Sequence, residues 1–332
     1  MKRIVTLLLA AGLVLGAAAG SQAADIKAKG NWTFSWQLGD NNLFEKNGDK
    51  FTAKQRLRTQ IDVIASESLK GVLFLEMGDQ NWGKSNDGAS LGTDGKIIKV
   101  RYSYVDWVIP QTDAKVRMGL QNFSLPGFIS NSPILGGGAA DGAGITLSGQ
   151  FTENVGASLF WLRAENDNTD GYRGNPSSNA MDFVGLTVPM TFDGVKVTPW
   201  AMYGALGRDS FTNGNGDEGA GVVNGLLPTG VDGSWLKGSD LDRHGNAWWV
   251  GVASELTYFD PFRFALDAAY GSADMGSIGG FDVERSGWFA SILGEYKMDY
   301  FTPGILFWYA SGDDSNWANG SERMPVVGGS WT

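Results

Sequence analysis

Residues 30–38 place Trp32, Phe34, Trp36 and Leu38 at every second position, with Thr33, Ser35 and Gln37 between them. A repeat of two puts the two sets on opposite faces of an extended chain and predicts a β-strand. The same alternation predicts thirteen strands, near 28–38, 50–64, 69–78, 97–109, 114–121, 144–151, 155–164, 182–190, 195–204, 247–258, 262–271, 288–296 and 301–311. In the second, Phe51, Ala53, Leu57, Ile61 and Val63 alternate with Lys54, Arg56, Arg58, Gln60 and Asp62; in the fifth, Val116, Met118 and Leu120 alternate with Lys115, Arg117 and Gln121. One face is oily and the other charged. Two segments break the pattern. Trp161 and Arg163 share a face in 155–164, and Tyr104 and Trp107 fall on opposite faces in 97–109. A β-bulge would shift the phase, but the sequence does not place one.

The connections sort by parity. After odd-numbered strands they are long and polar (39–49, 79–96, 122–143, 165–181, 205–246, 272–287 and 312 onward); after even-numbered ones they are short, with turn formers such as Pro110–Asp113, Phe192–Gly194 and Phe259–Pro261. That is an antiparallel up-and-down meander with tight turns at one end and large loops at the other, the asymmetry of transmembrane β-barrels. A soluble barrel of thirteen or more strands would enclose a lumen too wide for side chains to fill. Turned outward, the oily face meets lipid and the charged face lines water. Trp32, Trp36, Tyr102, Trp107, Trp248, Tyr258, Trp308 and Tyr309 lie near strand ends, where interfacial girdles sit. The competing architecture is a β-sandwich exposed at the cell surface.

Composition narrows the chemistry. The 332 residues include 48 Gly, 13 Trp, 9 Tyr and 18 Phe, with no Cys and one His. Such usage suits many short strands and turns. The absence of Cys excludes disulfides, thiol nucleophiles and Cys-ligated metal. Lys2 and Arg3 precede an apolar stretch, Ile4–Ala19, and small residues at Ser21 and Ala23. This reads as a secretory signal peptide over 1–23, leaving a barrel domain over 24–332. No run of 18 apolar residues follows. The mature chain has 24 Lys and Arg against 36 Asp and Glu, a balance that argues against nucleic acid as a partner.

The third long connection, 122–143, differs from the others: it is apolar and Gly-rich, with two prolines and one acid, Asp141. Such a loop packs against something: the barrel lumen, the rim or a neighbouring subunit. The signal, the parity of the connections and this loop together resemble the general-diffusion porins of Gram-negative outer membranes. Val100–Trp107 and Lys115–Phe123 look closest to the homotrimeric porins of sulfate-reducing bacteria. The resemblance spans about residues 25–311 and rests on the whole pattern rather than on a short motif. It implies a sixteen-stranded homotrimeric barrel in outer-membrane lipid, passive passage of small hydrophilic solutes, and a third loop folded inward as a constriction. Phe123, Pro126, Phe128, Pro133 and Asp141 are its candidate constriction residues.

Charge adds a mechanism. Six of the long connections, the third excepted, carry 21 acids and 9 bases, whereas the charged parity of strands two, four and five carries Lys54, Arg56, Arg58, Lys99, Arg101, Lys115 and Arg117. A basic wall across a narrow aqueous passage favours inorganic and organic anions. Strands three and eleven add the acids Glu76 and Asp267 and the bases Lys70 and Arg263. Two other readings stand beside a general porin: a substrate-selective channel, which would place aromatics along the lumen, and a non-channel adhesin or lectin-like surface protein. No catalytic residue, metal or cofactor is expected. Gly214–Gly219 matches a dinucleotide fingerprint by letter, but lies in a long loop beside Asp217 and Glu218, which repel phosphate. His244 falls in that same loop. Thirteen strands cannot close a barrel, and Gly329–Thr332 falls inside a seventh long connection, so C-terminal truncation is expected.

Overall fold

A computed structural model describes residues 24–40, 49–93, 95–130, 134–135, 140–166, 180–212, 225–228, 230–231, 233–236, 241, 244–314, 316 and 318–327. The signal segment 1–23, Pro133, the Gly214–Gly219 motif and Gly329–Thr332 lie outside them. Among the described residues the chain is all-β. Its strands are β1 (Asp25–Asp40), β2 (Asp49–Ser66), β3 (Leu69–Asn81), β4 (Ile98–Val108), β5 (Lys115–Phe123), β6 (Ala140–Gln150), β7 (Gly156–Asn166), β8 (Ala180–Thr187), β9 (Met190–Phe192), β10 (Val195–Gly207), β11 (His244–Leu256), β12 (Phe262–Ile278), β13 (Phe281–Tyr296) and β14 (Gly304–Ala310). They form a fourteen-stranded antiparallel up-and-down sheet in chain order, with β9 paired to β10 beside the main path. No described helix is long and apolar enough to cross a membrane.

Every expected strand is present, and the differences are local. The eighth divides into β8 and β9 at Val188-Pro189, because proline has no N–H for the ladder. The connection expected over 272–287 is not a long loop. β12 and β13 continue through it and meet at Gly279-Gly280, both at positive φ, with a register shift between Asp274 and Ser277. Its Ser, Asp and Gly positions read as solvated loop, but one of its faces is covered: Met275 and Val283 are buried. His244 opens β11 opposite Gly207 rather than lying in a loop.

The chain divides into two compact units. The first holds β1–β4 and Arg117–Gln121 of β5. Here Ile26, Trp32, Phe34, Trp36, Leu38 and Phe51 are exposed on one face, while the other is polar. The missing phase shift in β4 is found at Arg101. Tyr102 pairs with Phe74 and Val100 with Leu75, so Arg101 is the extra residue and every position after it changes face. Tyr102, Tyr104 and Asp106 thereby join the charged face, and Val105 and Trp107 are exposed.

The second unit holds the remaining strands and the hydrophobic core. Alternate positions of β7–β13 (Phe160, Leu162, Met181, Phe183, Trp200, Met202, Trp249, Ala273, Met275) turn inward and are buried. What covers them is loop: Leu125, Ile134 and Leu135 from the third connection, Phe211, Leu226, Leu227 and Leu236 from the fifth, and Met324 and Val327 near the C-terminus. The opposite positions, including Leu159, Trp161, Val184, Tyr203, Trp248, Val250, Phe264, Tyr270 and Trp288, are exposed. Trp161 and Arg163 share that outer face as the sequence suggested. Arg163 forks onto Asp182 at 2.9 and 2.8 Å, and the Trp161 indole N–H donates to the same carboxylate at 3.0 Å.

Candidate functional site

The charged face of the first unit is mixed rather than basic. Asp79 accepts from Lys54 Nζ at 3.2 Å and from Arg56 Nε at 2.8 Å. Glu76 serves two guanidiniums through one oxygen: its Oε2 accepts from Arg58 Nε at 2.6 Å and from Arg101 Nη1 at 3.4 Å. Arg117 forks onto Asp106 with Nε–Oδ1 at 2.6 Å and Nη2–Oδ2 at 2.9 Å. Lys99 lines a cavity of about 540 Å³ with Glu76, Asp79, Lys96 and Ser85. With Asp62, which accepts from Gln60, four acids stand among the six predicted wall bases that lie in this unit. Lys115, the seventh predicted base, opens β5 in the second unit and is half-buried there. These pairs are partly hydrated; the Arg58 and Lys54 side chains are 38% and 46% exposed. Each such pair adds about 0–1 kcal/mol to stability, so the face is a polar lining rather than a structural core.

Two of these acids escape sequence reasoning for identifiable reasons. Asp79 falls past the expected end of the third strand, but β3 runs to Asn81. Asp106 has the wrong parity until the Arg101 bulge turns it inward. The bulge also reveals a row of rings on the charged side. Phe74 and Tyr102 stack with centroids 5.1 Å apart and planes 17° apart, and Tyr104 follows at 6.5 Å. Arg101 lies 5.9 and 5.5 Å from the first two centroids, and Arg117 lies 4.1 Å from that of Tyr104.

In the second unit, the third connection is packed against β12. Asp267, 3% exposed, accepts from the backbone N–H groups of Phe128, Ile129 and Ser130 at 2.9, 2.7 and 2.8 Å. The turn that presents these three donors requires Gly127, since a Cβ there would lie 1.9 Å from the Ser130 carbonyl oxygen. Pro126 and Phe128 are half-buried in this turn. Phe123 is the last residue of β5, buried against Phe160 with centroids 5.4 Å apart. Asp141 lies in β6, exposed, and accepts from Asn122 at 3.1 Å. The loop is further tied to the other loops. Val327 donates to the Ile134 carbonyl at 2.7 Å, Val326 to that of Gly225 at 2.9 Å, and the Trp249 indole to that of Pro325 at 2.9 Å. Arg285 donates to the carbonyls of Met324 and Leu227 at 3.2 and 3.3 Å. The sequence pattern does not predict the packing of Leu226, Leu227, Leu236, Leu241, Met324 and Val327 into the core. Its only sequence signals were the short apolar runs Leu226-Leu227 and Met324–Val327 within otherwise acidic connections.

At the turn end of this unit Lys196, Glu255, Arg263 and Glu295 form a chain of ion pairs at 2.8, 2.6 and 2.6 Å. No group of three or more potential metal ligands is found among the described residues. Asp313 accepts from Ser321 Oγ at 2.5 Å and pairs with Arg323 at 3.5 Å.

No protein-family model matches the chain, and no curated protein matches it by sequence. Solved structures similar to it include Salmonella typhi OmpF in complex with daunomycin (15% identity, TM-score 0.45, covering 91% of this chain and 83% of that one). Acinetobacter baumannii OccAB3 is similar at 12% identity and TM-score 0.45, covering 90% and 74%. The outer membrane channel DcaP of the same organism is similar at 13% and 0.41, covering 92% and 95%.

Proposed function

We propose that the protein is an outer-membrane porin of the general-diffusion type, a transmembrane β-barrel through which small hydrophilic solutes pass without chemistry. One observation carries this reading. In the first unit the same strands expose Ile26, Trp32, Phe34, Trp36, Leu38 and Val100 on one face and hold ion pairs on the other. A soluble protein buries its apolar face. The inverse arrangement suits a strand with lipid outside and water inside. The exposed aromatic and aliphatic face of β7–β13 supports the same assignment in the second unit, and assembly as a homotrimer in the outer membrane of a Gram-negative bacterium belongs to the same proposal. The basic wall of Lys54, Arg56, Arg58, Lys99, Arg101, Lys115 and Arg117 lines the passage, and the third loop, fixed by Asp267, narrows it. Four acids stand among the six wall bases that lie in the first unit, so the excess within the wall is small and the preference for anions is correspondingly modest.

The experiment is planar-bilayer conductance of the detergent-extracted protein. Stepwise ohmic conductance is expected, with a reversal potential in a salt gradient biased toward anions. Cation bias would overturn the anion preference alone. No conductance from membrane-inserted protein would overturn the channel, and extraction without detergent would favour the surface-protein alternative.

A further inference from the structure

The charged face of the first unit carries two facing rows of polar groups. Asn31, Thr33 and Ser35 of β1 stand directly opposite Arg58, Arg56 and Lys54 of β2, so each pair shares that face with Cβ atoms about 4.5–5.5 Å apart. We infer that the two rows form a binding site for hydroxylated phosphate monoesters, the chemistry of a sugar phosphate; this deepens the channel reading and rests on it. The cation row is held from one side only. A register shift opposite Arg56 sets Asp79 against Lys54 and Arg56, while Glu76 pairs with Arg58, so both acids lie on the β3 side. Arg56 and Arg58 give only Nε to these carboxylates, and among the described residues their Nη atoms have no hydrogen-bond partner. Both side chains are 38% exposed.

The neutral row is as open as the cation row. The side chains of Asn31, Thr33 and Ser35 make no hydrogen bond among the described residues, and they present an amide and two hydroxyls over about 13 Å of strand. A cavity of about 240 Å³ is lined by both rows and by Asp79. The charge of Asp79 is already offset there, because one of its oxygens accepts from Lys54 and the other from Arg56. The cavity is smaller than the roughly 300–1,000 Å³ of sites for drug-sized ligands, which suits a single sugar ring with its phosphate. The class of anion follows from the donors. One guanidinium fork saturates the two oxygens of a carboxylate, whereas the three terminal oxygens of a phosphate monoester accept from Arg56 and Arg58 together. The hydroxyls of the same solute then meet the amide and hydroxyl groups of β1.

The test uses glucose 6-phosphate as probe, with inorganic phosphate, glucuronate and glucose as counterparts that lack the sugar, the phosphoryl group and the charge. Binding to the detergent-solubilised protein is measured by saturation-transfer NMR, and block of chloride current is measured in bilayers. Glucose 6-phosphate should bind at least about fivefold more tightly than inorganic phosphate or glucuronate, and glucose most weakly. R56K and R58K keep the charge but lose the fork, and each should weaken glucose 6-phosphate about threefold or more. N31L, T33V and S35A together should bring it down to the affinity of inorganic phosphate, whose own binding stays unchanged. Antiparallel sheet content by circular dichroism checks that each variant folds. Equal affinity for glucose 6-phosphate and inorganic phosphate in the wild type, or glucuronate binding as tightly as glucose 6-phosphate, overturns the site even if chloride conductance is normal. A preference that survives the triple variant overturns it as well. Selective binding without conductance would uphold the site and overturn the channel.

Discussion

The two units use the same strand alternation and reach opposite interiors. In the first, the face turned away from the exposed apolar residues carries Lys54, Arg56, Arg58, Glu76, Asp79 and Asp106, and its groups keep much of their hydration. In the second, the corresponding face carries Phe160, Phe183, Trp200 and Trp249 and is sealed by loops from three connections. Both units expose an apolar outer surface. The exposed apolar faces are alike, while the opposite face is polar and partly hydrated in one unit and apolar and loop-covered in the other. Where such a sheet is covered by its own loops, those loops become part of the hydrophobic core.

The largest effect that sharpens this contrast comes from Trp249. It is fully buried, touches Phe183 with centroids 6.0 Å apart, and donates to the Pro325 carbonyl. Trp249→Ala should cost about 3–5 kcal/mol, by cavity formation and an orphaned carbonyl. Arg58→Ala in the first unit should cost no more than about 1 kcal/mol, because its pair is partly hydrated. Denaturant titration of both variants in the same detergent checks this. Equal losses would erase the distinction between core and lining.

Asp267 joins the two behaviours, being a charged group used as a structural anchor. Asp267→Ala orphans the N–H groups of Phe128, Ile129 and Ser130 and should cost about 1–3 kcal/mol. The 124–130 segment should become a cleavage site for added protease. If the proposed passage is narrowed by this loop, single-channel conductance rises and becomes noisier; Asp267→Asn, which keeps an acceptor oxygen, should fall between the two. Unchanged protease resistance would show that the Ile134–Val327 tie alone fixes the loop.

A smaller effect separates Glu76 from the structural acids. Glu76→Gln leaves stability within about 1 kcal/mol. It removes the charge shared by Arg58 and Arg101, and the anion-to-cation permeability ratio should rise by about twofold or more, read from the reversal potential. A ratio that does not move would place the selective passage away from this face.

The elements of the fold are legible because alternation is a local signal: each of the thirteen expected strands is found, with ends displaced by a few residues. The faces are less legible, because one inserted residue reverses every later assignment. Arg101 does this in β4: strict alternation puts Tyr102, Tyr104 and Asp106 on the face opposite Lys99 and Arg101, and the bulge brings them onto the same one. The predicted wall is basic because strict alternation leaves Asp106 off its face and Asp79 falls in the expected 79–96 connection, not because the acids are remote. Loop packing was least legible. Asp267 reaches Phe128 across 139 positions, and no local pattern encodes so distant a contact. The apolar character of 122–143 did announce that it would be packed. The few apolar residues of 225–241 and 318–327 did not, diluted as they are by acids.

The smallest expected effect concerns the loop over the first unit, where a carboxylate rather than an apolar cluster holds the backbone. Asp87 accepts from the Asn81 side chain at 2.6 Å, from the Asn81 backbone N–H at 3.1 Å and from Lys96 at 3.2 Å. The side-chain hydrogen bond from Asn81 is the first cause of its lowered pKa, followed by the backbone bond and Lys96; together they bring it from 3.8 to about 2. A carboxyl whose pKa is depressed by folding stabilises the folded loop above the ordinary carboxylate range and loses that contribution as pH falls through the folded value. The 82–97 loop should therefore stay protected from pepsin at pH 4 and open between about pH 4 and 2. The loop packed by Ile134, Leu135 and Val327, with an apolar cover in addition to its carboxylate anchor, should stay closed over the same interval. Loss of both together at one pH would mean that the lining and the filling unfold as one unit, and that their different interiors do not give them separate stability.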